Sequence, residues 1–137
     1  MATTAEVIYL GELRTEAIHT QSGTKILTDA PKDNHGKGEA FSPTDLLAVS
    51  LATCALTTIG ILAKREGLAI DITGATAEVV KVMATDPRRV SEIHLKINFI
   101  RSYSEKEKKM IEHTFHTCPV AKSLHPDIKQ VVEFKYV

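Results

Sequence analysis

Apolar side chains run through this chain in three rhythms, and each predicts a different element. In "VSEIHLKINFI", Ile93, Leu95, Ile97 and Phe99 alternate with Glu92, His94, Lys96 and Asn98, the period of two that gives a strand one buried and one wetter face. In "SPTDLLAVSLATCALTTIGILAKREG" the apolar positions are nearly continuous, and residues 46–63 pass without a charge. In "SEKEKKMIEHTF", Met110, Ile111, Thr114 and Phe115 recur on one side of a helix, behind Ser104 and Glu107 spaced as a capping box. Shorter signals surround these. "AEVIYL", "LRTEAIHT" and "KILTDA" read as strands, the last two divided by a turn at Ser22 and Gly23, and "APKDNHGKGEAF" reads as a polar loop. "GATAEVVKVM" is a strand before the alternating one, with Asp86 and Pro87 marking the turn between them. "TCPVAKSLHPDI" is a short helix opened by Pro119 and closed before Pro126, and "IKQVVEFKYV" is a last strand. This order predicts an α+β sandwich in place of a regular βαβ series.

The continuous apolar stretch admits two readings. Its length reaches the lower end of the roughly 17–25 residues that a bilayer requires. Ser50, Thr53, Thr57, Thr58 and Gly60 dilute it and no basic cluster precedes it, so a buried helix is the better reading and no membrane partner is expected. Ser42 suits the cap, Pro43 the first helical position and Asp45 the capping-box acid. Lys64 and Arg65 suit the negative end of the helix dipole, and Gly67 suits a left-handed stop. A helix apolar on every side needs cover on every side. The small residues Ala48, Ala52 and Ala55 share a face where another backbone could come close, and a partner subunit is the natural source of that cover.

Composition excludes more than it selects. With 137 residues, 43% hydrophobic and 25% charged, the chain suits one folded domain over residues 1–137. Lys plus Arg and Asp plus Glu both number 17, a net charge of zero, which offers nucleic acid no electrostatic footprint. The opening "MATTAEVIYLGELRTE" lacks a basic segment followed by an apolar run, so a cytoplasmic location is the expectation. Two cysteines 64 positions apart (118 − 54) are too few for a secreted disulfide framework. In a reducing compartment such a pair is buried, metal-binding or redox-active.

Local physics treats the two thiols differently. Cys54 lies deep in its helix, beyond the reach of the N-terminal dipole, and reads as a small buried hydrophobe unless a cation reaches it. Cys118, followed by Pro119 at a helix start, can sit at the cap, where free N–H groups favour the anion; it is locally the more acidic thiol. "HTFHTC" places His113, His116 and Cys118 close together, a pattern for zinc that lacks a second ligand cluster and suits helix-surface histidines as well. "HGKGEA" has no GK[ST] ending and is no phosphate loop, and no GxSxG elbow occurs.

The pairing of "SPTDLLAVSLATCALTT" with "CPVAKSLHPDI" 64 positions later resembles the family of osmotically inducible protein C and organic hydroperoxide resistance proteins. The likeness extends from "SGTKILTDAP" to the closing strand. It implies the α+β OsmC-like fold, an intertwined homodimer with antiparallel sheets around buried central helices. It also implies a thiol-dependent peroxidase in which Cys54 attacks a hydroperoxide and Cys118 resolves the product, the reverse of the local ranking. An arginine from the N-terminal strands then supports Cys54, with Arg14 the candidate. The resemblance implies no metal and no organic cofactor. The reductant is an external dithiol, a lipoyl group in the best-characterised branch. One position departs from the pattern. The hydroperoxide-resistance branch has a glutamate directly after the helix-starting proline; here that place is Thr44, and Asp45, one residue on, is the remaining candidate, rotated by about 100°. That departure keeps a second function in view, a non-enzymatic dimer binding a small apolar ligand, and a structural zinc protein is a third.

Overall fold

The turn at Ser22 and Gly23 folds the chain back as the sequence predicts, and a second, tighter reversal precedes it. In the computed structural model, which describes residues 1–65 and 70–137, the chain forms two units, Met1–Leu47 and Ala48–Val137. In the first, β1 (Ala5–Gly11), β2 (Arg14–His19) and β3 (Lys25–Asp29) make an antiparallel sheet in that order. Gly11, Glu12 and Leu13 turn β1 into β2 with φ of 89°, 52° and 64°, and Arg14 follows at once. Arg14 pairs with Asp29 and Thr15 with Thr28 across β2 and β3. The following loop contains a single 3-10 turn, Lys32–Asn34, and then lies back against β3. The Asp29 N–H donates to the Phe41 carbonyl at 3.1 Å and the Gly38 N–H to the Ala30 carbonyl at 3.2 Å. Gly36 permits this approach, because a Cβ there would fall 1.7 Å from the Ala30 oxygen. Val7, Ile8, Tyr9, Leu10, Ile26 and Phe41 are nonetheless exposed, more apolar surface than a monomer commonly leaves in water.

The helix α1 (Pro43–Arg65) begins in the first unit and continues into the second. Its start is the predicted one. The Asp45 N–H donates to Ser42 Oγ at 3.0 Å while the Ser42 N–H donates to Asp45 Oδ2 at 2.9 Å, a complete capping box. The predicted stop at Gly67 lies outside the described residues. The helix is long and apolar enough to cross a membrane, but one face of it, Ala48, Leu51, Ala52, Ala55 and Ile59, is buried in the core of the second unit. This corrects the expected use of its alanines. Ala48, Ala52 and Ala55 are taken up by the chain's own core, and the uncovered face is another one, carrying Leu47, Thr57 and Ile61.

In the second unit β4 (Thr76–Ala84), β5 (Arg89–Asn98) and β6 (Lys129–Lys135) form a sheet in that order. The alternation read in β5 is real: Ile93, Leu95 and Ile97 are buried, as is Phe99 just beyond. β4 and β5 pair antiparallel from Thr76 opposite Asn98, with a bulge after Val82. β6 runs parallel to β5, Glu92 opposite Lys129. The expected antiparallel pairing holds for β1 to β3 and for β4 with β5, and β6 alone departs from it, because β5 and β6 are joined by a crossover through α2 (Glu105–Phe115) and α3 (Pro119–Ser123), which returns the chain to the starting end of the sheet. α2 has the predicted capping box, Ser104 with Glu107, and buries Ile111, Thr114 and Phe115.

Candidate active site

Cys54 sits on α1, twelve residues past the Ser42 cap (54 − 42). One turn on, Thr58 brings its hydroxyl to 3.8 Å from the Cys54 sulfur. The second thiol comes from the crossover. After α2 the N–H groups of Thr117 and Cys118 donate to the carbonyls of Thr114 and Phe115 at 2.9 and 3.1 Å, and this turn delivers Cys118 to the cap position of α3 with Pro119 next. Cys118 is fully buried, Cys54 partly so, and both are free thiols. The two thiols are close enough for each to shift the ionisation of the other.

Burial and the partners around each sulfur push the two thiols in opposite directions. Burial pushes Cys54 up, but the nearby Cys118 thiol, the Val120 N–H and the Thr58 hydroxyl together bring it below the ordinary thiol range. Cys118 moves the other way. Burial raises it first and the nearness of Cys54 raises it further, outweighing the help of the Ala121 and Val120 N–H groups. The local expectation that Cys118 is the more acidic thiol is thus reversed. The helix start does favour its anion, but Cys118 makes no side-chain capping hydrogen bond, and the same helix start also serves Cys54 through Val120.

The other candidate residues belong to the first unit. Arg14 Nε and Nη2 donate to Asp29 Oδ1 and Oδ2 at 2.7 and 2.8 Å, and Glu39 Oε2 lies 3.7 Å from Nη2. Asp29 and, less strongly, Glu39 hold the guanidinium pKa above its usual value, and Arg14 in turn holds the Asp29 carboxyl below the usual carboxylate range. Asp45 serves the capping box, and Thr44 places its hydroxyl 3.2 Å from that of Ser42. Among the described residues no group of three or more His, Cys, Asp or Glu is arranged to hold a metal. His116 instead caps α2 and packs edge-on against Phe115 at 5.3 Å.

Sequence reasoning missed three participants: Thr58, the Val120 N–H and Asp29. Thr58 was open to discovery, since it stands one helical turn after Cys54. Asp29 was too: with a turn at residues 20–23, positions summing to 43 face each other, and 14 + 29 is such a pair.

The sequence profile of the family described as OsmC-like protein matches residues 36–133. Among solved structures, the chain is similar to a Psychrobacter arcticus protein assigned to the osmotic stress induced and detoxification response, at 60% identity and TM-score 0.92, covering 98% of this chain and 96% of that one. An OsmC-like protein of Mycoplasma pneumoniae is 26% identical at TM-score 0.77, covering 100% and 99%. An organic hydroperoxide resistance protein of Legionella pneumophila is 15% identical at TM-score 0.74, covering 98% of each chain, a likeness of fold. No curated protein sequence matches the chain.

Proposed function

The chain belongs to the OsmC-like protein family, and on that premise we propose that it is a thiol-dependent hydroperoxide reductase with Cys54 as the attacking and Cys118 as the resolving cysteine. The observation that carries this is the pair of free thiols, Cys54 partly exposed with the Thr58 hydroxyl 3.8 Å from its sulfur and Cys118 fully buried, each shifting the other so that Cys54 is lowered and Cys118 raised. An attacking sulfur must be the thiolate, and a resolving one must wait.

The chemistry then runs in three steps. The Cys54 thiolate attacks the outer oxygen of the hydroperoxide: an S–O bond forms, the O–O bond breaks, and the alkoxide leaves as an alcohol after taking a proton. Cys54 is now a neutral sulfenic acid, so the charge that had raised Cys118 is gone. Cys118 gives up its proton as its sulfur attacks that of Cys54: the S–S bond forms, the S–O bond breaks, and the hydroxide leaves as water with that proton. An external dithiol restores both thiols by exchange. Arg14 is the cation proposed to stabilise the thiolate and the departing oxygen. No step requires a metal or an organic cofactor. A cytoplasmic setting supplies the dithiol, and two copies of the chain form the working dimer, supported by the apolar surface left exposed on the first unit and on α1.

The test is intact mass under denaturing conditions, with free thiols alkylated, after one equivalent of cumene hydroperoxide is added to reduced protein. We expect both alkylation sites to disappear within seconds, to persist in Cys54→Ser, and to be replaced by a trapped sulfenic acid in Cys118→Ser. Two alkylatable thiols after minutes in the wild-type protein overturn the reading.

A further inference from the structure

Arg14 is held by a carboxylate on the neighbouring strand. Asp29 faces it across β2 and β3, and the Nε–Nη2 edge of the guanidinium forms a two-bond fork with the carboxylate at 2.7 and 2.8 Å. The burial is unequal: the Asp29 side chain is 2% exposed and that of Arg14 32%. Asp29 is itself held by a third bond, from the Glu39 N–H to Oδ2 at 3.0 Å. Its main chain is fastened on both sides, by its own N–H to Phe41 and by that of Ala30 to the Leu13 carbonyl at 3.1 Å. A guanidinium fixed by one edge to so immobile a carboxylate has one orientation. The Nη1 edge points away from the fork, and Arg14 lines a recess of about 140 Å³ with Leu10, Gly11, Glu12 and Lys37. A buried ion pair is weak grounds for stability, since apolar residues fill such space as well. A buried acid holding a half-exposed arginine by one edge is the arrangement of a positioned cation.

We propose that Asp29 is the positioning residue for Arg14 in peroxide reduction, presenting the outward edge of the guanidinium to the reacting peroxide. This rests on the reading of Arg14 as the cation of the peroxide step. Asp29 touches no reacting atom; it acts through Arg14.

The experiment compares kcat/KM for cumene hydroperoxide, with dithiothreitol as reductant and across pH, in full-length wild type, Arg14→Gln, Arg14→Lys, Asp29→Asn and Arg14→Gln/Asp29→Asn. We expect Arg14→Gln to lose roughly ten- to a hundredfold and Asp29→Asn to lose a similar factor. The double variant is then no slower than Arg14→Gln alone, because Asp29 has nothing left to position. Arg14→Lys keeps the charge beside Asp29, so it folds, but loses the fork and falls nearly as far as Arg14→Gln. Asp29→Asn or Arg14→Lys at the wild-type rate beside a slow Arg14→Gln overturns the positioning role and leaves Arg14 its own. A double variant slower than Arg14→Gln by the full Asp29→Asn factor also overturns it, since that is general damage. Arg14→Gln at the wild-type rate, with Cys54→Ser inactive, overturns the reading of Arg14 and this proposal with it.

Discussion

Replacing Gly36 by alanine would drive a methyl group into a backbone carbonyl. A Cβ at that position lies 1.7 Å from the Ala30 oxygen and 2.2 Å from its carbon, where real contacts essentially never fall under 3.0 Å. The two segments must part by at least 1.3 Å (3.0 − 1.7). Both are main chain, so neither can swing aside as a flexible side chain would. The Ala30 carbonyl also accepts the Gly38 N–H at 3.2 Å, and a displacement of that size takes the bond out of range. Its loss costs about 0.5–1.5 kcal/mol net, and backbone forced from its preferred geometry adds about 1–3 kcal/mol. We expect Gly36→Ala to be destabilised by about 2–4 kcal/mol. Urea unfolding followed by circular dichroism, at equal concentrations of variant and wild type, measures the difference. The loop also delivers the Glu39 N–H to Asp29, so on the proposed function the variant's peroxide turnover is expected to fall even where it remains folded. Stability within about 0.5 kcal/mol of wild type would refute the reasoning.

Three further outcomes are expected. Cys118→Ala removes one of the groups that lower Cys54, so the pH midpoint for Cys54 alkylation by iodoacetamide moves to higher pH, whereas Cys54→Ala moves that of Cys118 to lower pH; two midpoints that stay put, or move together, contradict the coupling. Ser104→Ala breaks the capping box of α2 and lowers stability by about 1 kcal/mol in urea unfolding, with no change in the alkylation midpoints. Ile61→Asp places a charge on the uncovered face of α1, where Ile61 is 54% exposed. On the proposed dimer, sedimentation is expected to show the variant as a monomer beside a dimeric wild type, and an unchanged sedimentation coefficient removes that face from the interface.

Elements whose causes are local were legible in the sequence. The period-two run of β5, the capping boxes at Ser42 and Ser104, and Pro119 at the start of α3 each act within a few residues, and each is found as read. What was not legible depends on contacts between distant segments. No local pattern says that β6 returns parallel to β5, because the direction is set by the crossover of α2 and α3. Continuous apolarity along α1 could not say which face the chain would cover itself, since Ala48 and Ile61 are equally acceptable to a core. The order of acidity of the thiols is hidden for the same reason: the helix start favours the Cys118 anion, but burial of Cys118 in the folded core and the nearness of Cys54, 64 positions away (118 − 54), outweigh it. The roles proposed for the two cysteines follow from the family resemblance and not from spacing.

The placement of Cys118 on the crossover has a mechanical side. A covalent bond from Cys54 to Cys118 closes a loop of about 64 residues (118 − 54) that contains β4, β5 and α2. Cross-linking a loop of that length removes unfolded-chain entropy worth about 4 kcal/mol at room temperature. On the proposed mechanism, each turnover would pass through a form more resistant to heat, denaturant and protease than the resting one. The copies that have just met peroxide would be the last to unravel, and a dithiol that reopens the bond would also be relaxing the molecule.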